Sequence, residues 1–141
     1  MSATQDPTRT PNTAQRQQLQ HASIRSLLHD VQGAAGPREL APLLEEMSLM
    51  LQEHFGHEEA EGGVFDGIVD ADPMRQADVD ALVGQHRDFM NRLDQARAAL
   101  LASDGQAMAL ARSLSADIAE HEAAENELMA DALYDETQAH D

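Results

Sequence analysis

The chain contains no cysteine and no tryptophan. Without thiols it builds no disulfide framework, no thiolate zinc site, no iron–sulfur cluster of its own and no cysteine nucleophile. Aromatic residues are few: Phe55, Phe65, Phe89 and Tyr134. Basic residues are few as well, 9 against 26 acidic ones, for a formal charge of −17. A surface of that sign repels nucleic acid and anionic membranes and attracts cations. No apolar run approaches the ~18 residues that a membrane span requires. The opening segment, MSATQDPTRTPNTAQ, has no apolar signal core. Together these absences leave a cytoplasmic location, with neither nucleic acid nor membrane as a partner, as the expectation.

What the chain does have is helix-forming material in one domain's length. Its 141 residues suffice to bury about two-thirds of the unfolded surface without a covalent staple. Leu, Ala and Met dominate the apolar set, and all three favour helices. Apolar residues recur at steps of three and four, and nothing alternates with period two for long enough to form a strand. The first helix is predicted from Thr13 to about Gln32, with a seam through His21, Ile24, Leu28 and Val31, and Gly33 to Pro37 ends it. The second starts near Pro37 and leads through Leu40, Leu44, Met47 and Leu51 to His54 and Glu58. Gly62-Gly63 weakens its end, Val64 to Val69 add a last turn, and Asp66 to Pro73 read as a connection. Asp72 caps and Pro73 opens the third helix, which runs from about Met74 to Ala102 along Val79, Leu82, His86, Phe89, Leu93, Ala96 and Leu100. Ser103-Asp104-Gly105 breaks it, and a fourth helix runs from about Gln106 to Tyr134. Four amphipathic helices with short connections define an all-α, up-down-up-down antiparallel four-helix bundle over residues 13–135. Residues 1–12 read as a disordered tail and 136–141 as a frayed terminus.

Two of the seams carry residues that a helix normally keeps in water. Met47 and Leu51 are followed, at the same helical step, by His54 and Glu58. Leu114 and Ile118 are followed by His121 and Glu125, before Leu128 and Ala132 resume the apolar pattern. A buried carboxylate is costly unless a cation meets it. Two His-x-x-x-Glu pairs on two apolar seams therefore point to one shared partner, a metal centre.

The turns supply a geometric check. Antiparallel neighbours place residues at one height when these are equidistant from the turn between them. The midpoint of His21 and His54 falls at the Gly36-Pro37 turn, that of His54 and His86 inside the Asp66–Pro73 connection, and that of His86 and His121 between Ser103 and Asp104. At ~1.5 Å per residue the four imidazoles fall in one layer, with Glu58 and Glu125 ~6 Å onward. Four imidazoles and two carboxylates suit two first-row ions. The predicted division is His21 and His54 on one ion, His86 and His121 on the other, with Glu58 and Glu125 bridging. A six-coordinate ion in such a set keeps room for a bridging oxide or hydroxide and an exogenous ligand, unlike a closed tetrahedral zinc site.

This pattern resembles the hemerythrin-like, HHE cation-binding family. The residues carrying the resemblance are His21; His54-Phe55-x-x-Glu58-Glu59 with Val64-Phe65; His86; and His121-x-x-x-Glu125. It covers residues from about 14 to 135. The resemblance implies a centre of two Fe ions with a bridging oxo or hydroxo group, held by His21, His54, Glu58, His86, His121 and Glu125. It also implies a small-molecule partner: oxygen, peroxide or nitric oxide. The oxygen-carrying members have His-x-x-x-His on the third helix, whereas here Leu82 and Met90 flank His86 at four residues; their fourth helix has His-x-x-x-x-Asp, here His121-x-x-x-Glu125. The chain is thus similar to the four-His, two-Glu branch, in which redox or sensing roles replace oxygen carriage. The functions this leaves are an oxygen-binding or oxygen-sensing di-iron protein, an oxidoreductase consuming peroxide or nitric oxide at the same centre, and a non-catalytic metal-stabilised bundle.

Other residues have plainer readings. His57 and Glu61 form a second His-x-x-x-Glu frame, and His57 is a substitute for His54, an outer-shell group or a solvent-facing residue, the last being the simplest. His29 and His140 lack a seam carboxylate and read as surface residues. Tyr134 packs a helix end or donates a hydrogen bond near the site. The acidic residues crowded around Glu58 and Glu125, Glu122 among them, read as solvated faces.

Overall fold

The computed structural model describes residues 13–134. It contains four long helices and one short one: α1 (Thr13–Gly33), α2 (Pro37–Glu59), α3 (Val64–Ala71), α4 (Gln76–Leu101) and α5 (Ala107–Met129). A 3₁₀ turn, Pro73–Arg75, precedes α4, and a π-helical turn, Ala130–Tyr134, follows α5. The long helices pack in cyclic order, α1 on α2, α2 on α4, α4 on α5 and α5 on α1. The fold is the all-α four-helix bundle expected from the seams, and the described residues include no strand. The segments read as a disordered tail and a frayed terminus, with His140, lie outside the described residues. No described helix is long and apolar enough to cross a membrane.

The turns use the chemistry that the sequence offers. Gly36 precedes Pro37, which occupies the first turn of α2, where its missing N–H costs no helical hydrogen bond. At the end of α4, Ser103 takes a left-handed φ of 54°. The Asp104 N–H then reaches back to the Ala99 carbonyl at 2.8 Å, closing the helix end. The Asp72 side chain accepts from the Met74 N–H at 3.2 Å, as its place before Pro73 implied.

The second connection differs from the sequence reading. Asp66 to Ala71 are not a connection but part of α3, and Val64 to Val69 do not extend α2 but open a helix of their own. The cause lies at two glycines. Gly62 adopts φ +76°, which turns the chain out of α2. A Cβ on Gly63 would stand 2.5 Å from the His57 carbonyl oxygen, so only glycine allows so tight a return. The Asp66 carboxylate secures the turn by accepting from the Gly62 N–H at 2.8 Å. As a result α3 lies across one end of the bundle and buries Val64, Phe65 and Ile68.

The apolar core is split. One cluster, including Ile24, Leu28, Leu44, Met47, Leu93 and Leu114, fills the end of the α1–α2 and α4–α5 turns. A smaller one, with Phe65, Ile68, Val79, Leu82 and Leu128, lies beneath α3. Each fully buried Leu or Ile stabilises by about 1.5–3 kcal/mol. Between the clusters lies a polar layer.

Candidate metal centre

All four long helices contribute to that layer. His21 comes from α1, His54 and Glu58 from α2, His86 from α4, and His121 and Glu125 from α5. None of the six is more than 3% exposed. The i,i+4 spacing stacks each carboxylate on the same face as its histidine. The structure brings all six together. The donor atoms of His21, His54, Glu58 and Glu125 lie within 4.8 Å of one another, and so do those of Glu58, His86, His121 and Glu125.

The two carboxylates belong to both groups and divide their oxygens between them. Glu58 Oε2 stands 3.4 Å from His54 Nε2, and Glu58 Oε1 stands 3.2 Å from His86 Nε2. Glu125 Oε1 stands 3.1 Å from His21 Nε2, and Glu125 Oε2 stands 3.1 Å from His121 Nε2. Two donors each about 2.1 Å from one ion stand about 3.0–3.6 Å apart. The separations therefore suit shared ions. Among the described residues, His54 Nε2 and Glu58 Oε1 are buried without a hydrogen-bond partner, as atoms meant for a cation would be.

The imidazoles are aimed by a closed ring of outer contacts. Nδ1 of His21 meets Asn126 Oδ1 at 3.1 Å, and Nδ1 of His54 meets Gln20 Oε1 at 2.8 Å. Nδ1 of His86 meets Glu59 Oε2 at 2.7 Å, and Nδ1 of His121 meets Gln85 Oε1 at 2.5 Å. Each partner is an acceptor oxygen, so each Nδ1–H donates outward and each Nε2 faces the centre. The ring runs around the bundle: α1 orients the histidine of α2, α2 that of α4, α4 that of α5, and α5 that of α1. Of these four partners only Glu59 entered the sequence pattern, and none was given this role there. The available signal was adjacency, since each is the immediate neighbour of an inward residue: Gln20 of His21, Glu59 of Glu58, Gln85 of His86 and Asn126 of Glu125.

The charges are strongly coupled. Burial alone would lower the pKa of His21, but the hydrogen-bonded Glu125 and the nearby Glu58 carboxylate raise it to about 10. The His86 pKa is raised to about 9, burial opposing and Glu125, Glu58 and Glu59 prevailing. Burial pushes Glu125 up, yet the imidazoles of His121, His21, His54 and His86 around it hold it well below the ordinary carboxylate range. Without a metal ion, protons on imidazole supply the positive charge that the two carboxylates require.

Two further polar groups enter the layer beside His21. Gln17, one turn earlier on α1, is 1% exposed. Its amide nitrogen donates to Glu58 Oε2 and lies 3.0 Å from His21 Nε2. Glu122 corrects the reading of the acidic run as solvated: it is 7% exposed, and burial pushes its pKa up to about 7. By contrast His57 is only partly buried and accepts from the Arg16 guanidinium at 3.4 Å, away from the centre, and Glu61 and His29 are exposed. The Tyr134 side chain lies outside the described residues.

All three phenylalanines gather around the other pair of histidines. Phe55 stacks on His86 with centroids 3.7 Å apart and Phe65 covers it at 5.6 Å. Phe89 meets His121 edge-on at 5.1 Å. A comparison with protein families matches residues 13–133 to the model described as the hemerythrin HHE cation binding domain. No curated protein and no solved structure gives a match.

Proposed function

The chain belongs to the hemerythrin HHE cation-binding family, and on that premise we propose that it is a non-haem di-iron protein that binds or senses oxygen or a related small molecule. In this reading His21 and His54 hold one ion and His86 and His121 the other. Glu58 and Glu125 bridge the two, so each ion receives two nitrogens and two oxygens. One observation carries the reading: each buried carboxylate gives one oxygen to each pair of imidazoles.

Imidazole with carboxylate is a donor set suited to iron. Two iron ions with an oxo or hydroxo bridge would supply electrons and coordination positions for a small molecule. The protein's own part is to hold the donors rigid and dry. The outer hydrogen-bond ring fixes the orientation of the imidazoles, and the apolar clusters on either side keep water away from the layer.

Iron-loaded, anaerobically reduced protein tests the reading when exposed to oxygen in a rapid-mixing spectrometer. A visible band that forms within seconds and reverses when oxygen is removed supports binding or sensing. Irreversible bleaching with release of iron contradicts it. Sustained consumption of added peroxide or nitric oxide by the same sample would replace binding with turnover.

A further inference from the structure

Three carboxylates are buried among the described residues, and the six-residue set uses two of them. The third, Glu122, stands one turn before Glu125 on the side of α5 that faces α1. Its Oε2 is 3.6 Å from His21 Nε2, and among the described residues it has no hydrogen-bond partner. A second buried oxygen is in the same condition. Gln17 Oε1, on α1, also lacks a partner among the described residues, although the rest of that amide is engaged by Glu58 and His21. Buried polar atoms ordinarily find partners. Both belong to side chains that reach the metal-facing nitrogen of His21, Glu122 through this oxygen and Gln17 through its amide nitrogen. Beside His86 and His121 the neighbours are instead the rings of Phe55, Phe65 and Phe89.

We propose that Glu122 is a fifth protein ligand of the ion held by His21 and His54, so that the two metal positions are inequivalent. The inference rests on the two-ion reading of the site. Glu122 stands at the rim of the four-donor group, next to His21, and its separation from Nε2 is that of two donors sharing one ion. A carboxylate on a flexible stem closes the remaining gap by side-chain rotation. Glu58, Glu125 and Glu122 then give the His21–His54 position three oxygens and two nitrogens. The His86–His121 position keeps two of each, which leaves it the more open to an exogenous ligand.

Cobalt(II) titration of the metal-stripped full chain tests this, followed by calorimetry and by the visible bands of the bound ion. Wild-type protein takes up two ions in two resolvable steps, the five-donor position filling first. In Glu122→Gln one constant weakens by about 10–100-fold, the range seen when metal-supporting groups are lost, and the other stays unchanged. The loss persists in a His86→Ala background and vanishes in a His54→Ala background. Glu122→Asp, which keeps the charge on a shorter stem, falls between. Exposed Glu127→Gln serves as the charge control and leaves both constants unchanged. If wild type binds two ions and Glu122→Gln is indistinguishable from it, the inference fails alone. Equal weakening in both backgrounds also overturns it, by reducing Glu122 to a diffuse charge. A wild-type chain that takes up no cobalt overturns the two-ion reading as well.

Discussion

The half of the site on α1 and α2 and the half on α4 and α5 hold the same pair of imidazoles and share the same two carboxylates, yet their surroundings differ. The rings of His21 and His54, 4.8 Å apart, are flanked by Gln17 and Glu122, whose Oε1 and Oε2 atoms, respectively, lack hydrogen-bond partners among the described residues. The rings of His86 and His121, 4.9 Å apart, are flanked by Phe55, Phe65 and Phe89. A chain with only three phenylalanines places all of them against this pair of histidines, with Phe55 also 5.9 Å from His54. Aromatic contacts fix ring orientation and exclude water without adding donors. Buried oxygens do the reverse, adding donors that only a cation or a proton satisfies. Symmetric ligands therefore need not make a symmetric centre: the neighbours differ in polarity between the halves and, on the proposed two-ion reading, in the number of donors they offer.

The largest expected effect removes what the halves share. Glu125→Ala takes an oxygen from both, so on the proposed two-ion reading bound iron is expected to fall from two per chain toward zero. His54→Ala and His86→Ala each remove a donor from one half only and leave one ion. Metal analysis after desalting distinguishes these outcomes. Equal loss in all three variants would mean that the halves do not act separately.

Protons sharpen the comparison next. His21 has its pKa raised to about 10 and His86 to about 9, one in each half. Both lie above the ordinary histidine value of about 6.5. In metal-free protein their pairing with the carboxylates thus stabilises fully below about pH 6.5 and is lost as pH rises through about 9 and then 10. Metal must displace those protons. Binding near pH 7.5 is expected to release about one proton from each half. Affinity rises with pH until first His86 and then His21 has lost its proton. Calorimetry in buffers of different ionisation heat measures the release, and affinity independent of pH between 7 and 9 would contradict it.

The smallest effects concern the turns of the scaffold. A methyl on Gly63 would meet the His57 carbonyl oxygen at 2.5 Å. Gly63→Ala is expected to cost about 1–3 kcal/mol, by strain of the overpacking kind, and to loosen α3 with the Phe65 ring that covers His86. Ser103→Gly relieves a left-handed φ far from both halves and should add about 1 kcal/mol. Thermal melting of metal-free protein measures both, and equal and opposite signs to these would break the account of the turns.

Much of this was visible in the residues alone. The seam steps placed His54 with Glu58 and His121 with Glu125, and the turn midpoints placed the four histidines in one layer. Both inferences need only helical geometry. The restart of the chain at Val64 was hidden, because paired glycines announce a stop but not the direction of the chain beyond it. The outer ring was hidden for a different reason. A residue beside an inward ligand points about 100° around its helix, toward whichever helix packs there, and helix order is a tertiary fact. Glu122 was hidden among Glu120 and Glu127, both exposed, since composition does not distinguish a buried glutamate from its solvated neighbours.

The most direct test is anomalous X-ray diffraction at the iron edge from crystals of iron-loaded protein. The expected result is two peaks between Glu58 and Glu125, one beside Nε2 of His21 and His54 and the other beside Nε2 of His86 and His121. A single peak, no peak in the layer, or iron confined to surface carboxylates such as the Asp78, Glu127 and Asp131 cleft would contradict the two-ion account.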